Sequence, residues 1–199
     1  MKKIIALLLV SVMALGLAAC GNTETPNETT TAPTEQTTVP AVTGPASALE
    51  VLETIWASYG EDEKFFAMGG DYSAPVDGAP GAFSTADPEA MTSMLLIPAD
   101  STALVAEAAS LVHGMNLNNF TCGVYGLTEG TDAKAFADTM RNAILNNPWM
   151  CGFPEHMVIA NVGGYVLVAF GINDAINPFE AKLTAAYPTA EILYSEALA

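Results

Sequence analysis

The stretch Met157-Val158-Ile159-Ala160-Asn161-Val162-Gly163-Gly164-Tyr165-Val166-Leu167-Val168-Ala169-Phe170 decides the fold. Two apolar, β-branched runs flank a Gly-Gly pair, the signal of a two-residue hairpin turn. Met157 to Val162 reads as one strand and Tyr165 to Phe170 as its partner. The second run is apolar at almost every position, so burial on both faces is expected.

Working outward, Phe120 to Leu127 reads as a further strand. Thr131 or Asp132 then caps a helix whose apolar stripe is Ala133, Phe136, Ala137, Met140 and Ile144, and Asn146-Asn147-Pro148 stops it. On the other side of the hairpin, Asn177-Pro178-Phe179-Glu180 reads as a helix start, with Asn177 as cap and Pro178 in the first turn. Strand, helix, hairpin, helix gives an α+β fold, a small antiparallel or mixed sheet with helices packed on one face.

The earlier part of the domain is less regular. Ser47-Ala48-Leu49-Glu50 is a capping box opening a helix in which Leu49, Leu52, Ile55, Trp56 and Tyr59 recur at helical spacing, stopped by Gly60. Residues 60 to 90 are rich in Gly and Pro. Met91 to Ile97 fits either a strand or a helix start. Asp100 or Ser101 could cap a helix carrying Leu104, Val105, Ala108, Leu111 and Val112 to Gly114.

The strand Cys122-Gly123-Val124-Tyr125-Gly126-Leu127, the helix ending near Arg141, Phe153-Pro154-Glu155 and the hairpin Asn161 to Val168 carry a family resemblance. Together they resemble the domain of unknown function 4358 family, small lipoproteins of Gram-positive gut bacteria. The resemblance spans Asn119 to Tyr187. It implies no activity and carries over no catalytic residue.

The N-terminus sets an address. Met1-Lys2-Lys3 precedes a run from Ile4 to Leu17, too short to span a bilayer, and Leu17-Ala18-Ala19-Cys20-Gly21 resembles a bacterial lipobox. Residues 1–19 are expected to be a lipoprotein signal peptide, with Cys20 the lipidated residue. Two acyl chains on Cys20 would give stable anchoring in the lipid bilayer, on the extracytoplasmic face of the cell membrane. Residues 20–45 then read as the lipidated Cys and a disordered Thr/Pro-rich tether, and residues 46–199 as a single globular α+β domain.

Charge narrows the partners. Six basic residues face 22 acidic ones, a net charge of -16. Nucleic acid is excluded as a partner, because phosphate binding needs clustered Lys and Arg.

No residue pattern names a catalytic site, a metal site or a cofactor. The two histidines, His113 and His156, lack zinc-ligand spacing, and no Gly-x-Ser-x-Gly elbow is present. Asp71, Asp77, Asp87 and Glu89 fail the calcium-loop pattern and read as a solvated loop. Cys122 and Cys151 are either a bridge, permitted by export, or two free thiols acting as small hydrophobes. Trp149 and Phe153, in an irregular segment, are the candidate binding residues.

The leading expectation is a non-catalytic binding module at the cell surface, acting on a cell-envelope protein or component. The alternatives are a small-solute receptor associated with a transporter and, behind it, an enzyme with an unrecognised site.

Overall fold

A computed structural model describes residues 44–198. The expected signal peptide, Cys20 and almost all of the expected tether lie outside the described residues. The fold is α+β. Four helices accompany an antiparallel sheet of eight strands: β1 (Ala67–Gly69), β2 (Val76–Asp77), β3 (Gly81–Phe83), β4 (Val105–His113), β5 (Phe120–Leu127), β6 (His156–Val162), β7 (Tyr165–Gly171) and β8 (Glu191–Ala197). Their order is β2-β1-β4-β5-β7-β6-β8, with β3 also paired to β4.

The helices are α1 (Ala48–Ala57), α2 (Pro88–Leu95), α3 (Ala133–Leu145) and α4 (Asn173–Ala186). They cover both faces of the sheet, not one as the sequence reading expected. Leu167 and Ala169 of β7 join the core beneath α1 and α4. Val166, Val168 and Phe170, alternating with them, join the core beneath α2 and α3. A strand apolar at every position needs a cover on each side, and the two helix pairs supply it.

The hairpin forms as expected. Gly163 and Gly164 take φ 60 and 99 at its turn, a conformation open to glycine and strained for other residues. Ser47 caps α1, its hydroxyl accepting from Glu50 N at 3.0 Å, and Asp132 caps α3 through Lys134 N and Ala135 N.

Two elements differ from expectation, and a third falls to one of two readings left open, helix over strand. Residues 105–113 form the buried strand β4, not a helix. The Met91 run belongs to α2, which starts at Pro88 with Asp87 accepting from Ala90 N at 3.0 Å. The last helix begins four residues before Asn177, leaving Pro178 inside it. Its first amide, Asn173 N, donates to Glu155 Oε2 at 2.8 Å, so a distant side chain serves where Ile172 offers none. No described helix is long and apolar enough to cross a membrane.

Candidate functional site

The strands place one set of loops at a common end of the sheet. β4 ends at His113 where β5 begins at Phe120, and Phe120 pairs with Gly171 at the end of β7. Ala67 of β1 pairs with His113 at the same end. The opposite end carries the Gly163–Gly164 turn, against which Gly44 and Pro45 pack. About 20 Å of β7 separates the two ends, at about 3.3 Å per residue.

The loop end carries an apolar groove beside α2. One hollow, of about 390 Å³, is walled by Met68, Gly70, Asp71, Tyr72, Pro75, Val112 and His113. A second, of about 230 Å³, is walled by Leu96, Asn118, Pro148, Trp149, Met150 and Phe170. Met94 and Leu117 line both, which joins them into one groove. Exposed apolar side chains stand at the same end: Met115 (83% exposed), Met150 (78%) and Phe153 (70%), with Tyr72 and Phe66 also open.

Polar ties fix this end. Asn116 Nδ2 donates to the Cys151 carbonyl at 2.9 Å. Asn118 Nδ2 donates to the Met150 and Gly152 carbonyls at 2.8 and 3.1 Å. Two asparagines thus hold three successive carbonyls, so the 147–153 loop is tied down while Met150 and Phe153 face solvent. On the other wall, Asp71 Oδ1 accepts from Ser73 N, Ser73 Oγ and Ala74 N, and Oδ2 accepts from Ser84 N at 2.9 Å. The Ser73 hydroxyl, and then the Ser84 amide, hold the Asp71 carboxyl below the usual carboxylate range. The ring of His113 stacks on Phe65 at 5.7 Å, and its Nδ1 accepts from Met115 N at 3.2 Å.

The structure separates the candidate residues. Trp149 is half-buried against Phe170, ring centroids 5.3 Å apart, and forms part of the groove wall. Phe153 is exposed beyond it on the same loop. Cys122 and Cys151 are unbridged. Cys122 lies fully buried in the core beneath α1 and α4, where burial pushes its thiol up, whereas Cys151 is exposed on the locked loop. Asp71 is no solvated loop residue: it is 5% exposed and its hydrogen bonds shape the groove wall. The sequence reading missed Met94, Leu117, Asn116 and Asn118. The Asn116-x-Asn118 spacing before a strand was the available signal for a locked loop.

A second polar cluster lies on the α4 side. Ser195 Oγ donates to Glu180 Oε2 at 3.1 Å and sits 3.1 Å from His156 Nε2. The acid holds the hydroxyl itself, whereas a hydrolytic triad puts the imidazole between hydroxyl and acid. The trio ties β8 to α4. Among the described residues, no three His, Cys, Asp or Glu side chains gather where they could hold a metal ion.

No family model, curated protein or solved structure matches the chain.

Proposed function

We infer that this is a membrane-anchored extracytoplasmic lipoprotein, held through acylated Cys20, whose domain is a non-catalytic binding module. The carrying observation is the apolar groove at the loop end, with Met115, Met150 and Phe153 exposed beside it. Uncovered apolar side chains gathered at one place mark interaction sites more often than chance exposure does. Thioether side chains adapt to the shapes they meet, which suits a binding surface. The described chain begins at Gly44, beside the Gly163 turn and at the end of the sheet opposite the groove. The lipobox resemblance and the family resemblance support the same placement.

A small-solute receptor is the second reading, favoured only by a hollow of ligand size. Such sites carry polar groups free to orient a ligand, and the Asp71 oxygens in this wall are already taken up by four donors.

Two measurements test the proposal. Cys20→Ala should move the protein from the membrane fraction to the medium and abolish labelling by a radioactive fatty acid. A thermal-shift screen of the intact chain against metabolites should be flat. A saturating solute at 100 times its dissociation constant would add about 2.7 kcal/mol. At about 2–4 °C per kcal/mol that is a visible rise in Tm, and it would replace this reading with the solute receptor.

A further inference from the structure

Among the described residues, every basic side chain is engaged by a carboxylate. Lys64 pairs with Glu61 at 2.7 Å and Lys182 with Glu63 at 2.9 Å. Lys134 pairs with Asp138 and Arg141 with Glu196. These four face 19 acidic residues between positions 44 and 198. The domain therefore presents a strongly negative field with no free cation to offset it.

The groove follows the same rule. No Lys or Arg lines either hollow, and the one carboxylate in its walls is Asp71, held ionised by its hydrogen bonds. The first hollow's remaining walls are largely thioether, aliphatic and aromatic, and the second mixes such side chains with Ser93, Asn118 and Asn147. An anionic amphiphile would find apolar walls but no cation for its head group. A second copy of this chain would bring an equal negative charge against the first. A polypeptide segment with apolar side chains flanked by Lys or Arg fits both properties. The first hollow suits an apolar anchor, and the second, which meets it at Met94 and Leu117, suits a side chain with an apolar stem and a polar end carried by the same segment.

We propose that the groove receives a basic, apolar segment of a partner protein. This rests on the reading of the groove as the binding site and names the chemistry of its occupant. Apolar anchors would supply the short-range contact. The acidic surface would steer approach, so association should be fast at low ionic strength and slowed by salt.

The test uses the intact chain with its methionine methyl groups ¹³C-labelled and followed by NMR. Three probes are titrated: a 14-residue peptide of Leu and Lys at helical spacing, the same peptide with Glu for Lys, and laurate. The expected result is saturable shifts at Met68, Met94, Met115 and Met150 with the Lys peptide alone. Buried Met91, Met140 and Met157 should stay still. The association rate should fall about tenfold or more between low and physiological ionic strength. Met150→Ser with Phe153→Ser, at exposed positions that carry no fold risk, should weaken the Lys peptide about tenfold or more.

Shifts confined to the buried methionines, or binding indifferent to salt, would overturn the proposal. If laurate or the Glu peptide moves the groove methyls and the Lys peptide does not, the groove binds but its occupant is not cationic. If no probe moves them, the groove is not the binding site and both readings fall. Groove shifts that grow with protein concentration alone would make the occupant a second copy.

Discussion

Where β6 turns into β7, the backbone finishes the sheet: Gly163 and Gly164 close the turn, and Gly44 and Pro45 pack over it. At the other end side chains do the finishing. Asn116 and Asn118 hold the carbonyls of residues 150–152, and Asp71 holds the amides of residues 73, 74 and 84. The first end also has a hollow of about 500 Å³, walled mostly by polar residues 128–132 and Thr139, and among the described residues exposes one large apolar side chain, Leu104, at 37%. The second is as tightly tied, yet Met115, Met150 and Phe153 remain uncovered. Order and exposure are separate properties here. A loop locked by hydrogen bonds can present apolar groups without losing conformational entropy when something docks on them, which is how preorganised surfaces gain affinity.

The largest expected effect tests whether the loop end rests on a packed core. Phe120 lies at that end, fully buried, with its ring 4.9 Å from Phe65 and 5.1 Å from Phe179. Phe120→Ala should cost about 3–5 kcal/mol in urea denaturation. A loss below about 1 kcal/mol would mean that the loop end is loosely underpinned and that its exposed groups need no special account.

Asp71 comes next. Its carboxylate accepts four hydrogen bonds, so Asp71→Ala should cost about 2–3 kcal/mol by leaving donors unpaired. The sign with pH follows from its lowered value. Folding holds the carboxyl below its ordinary range of about 4, so its contribution is complete above that value. It is lost as pH falls through the still lower folded value. Stability measured at pH 7 and at pH 3 should therefore fall more in the wild type than in Asp71→Asn. Parallel losses would show that other carboxylates govern the acid response.

The two ends also differ in how far the sequence revealed them. The hairpin, β5 and α3 were legible because their signals are local: a Gly-Gly turn, an unbroken apolar run, an Asp cap before a helical stripe. The groove is built from non-local parts. Met68 and Val112 meet only because β1 pairs with β4, and β4 itself read as a helix. Its sequence, Val-Ala-Glu-Ala-Ala-Ser-Leu-Val-His, is rich in helix formers, and apolar residues at 105, 108, 111 and 112 match helical spacing. Central placement between β1 and β5 overrode that propensity. β8 went unread because it gains strand structure only by pairing with β6. Pro178 misled differently: Asn177-Pro178 and Asp87-Pro88 carry the same start signal, but only the second is a helix N-terminus. Of the site, Trp149 and Phe153 were legible as aromatics in an irregular segment. Their partners across the groove were not, since nothing local links residue 149 to residue 94.

A smaller effect sharpens the contrast from the hairpin-turn end. Gly163→Ala forces a side chain into φ 60, and its new methyl would press on Pro45. The expected cost is about 1–2 kcal/mol in Tm or urea midpoint. Methionine methyl signals of the groove should not move, because the perturbation stays at the far end of β7. Shifts at Met94 or Met150 would show that the two ends are coupled through the strands.

The smallest effect on stability is the most informative about function. Met115, Met150 and Phe153 are largely in water, so replacing each by Ser removes few folded-state contacts. Each substitution should change stability by no more than about 0.5 kcal/mol. If the groove is a docking surface, the triple variant should fold as the wild type does and still lose its partner, read as lost crosslinking from the locked loop on intact cells. A clear destabilisation would instead mean that these side chains are structural, covered by an arrangement of the chain that leaves no uncovered apolar end. Unchanged stability with unchanged crosslinking would leave their exposure without a binding role. Stability and binding therefore have to part company at these three residues, and at Phe120 they have to move together.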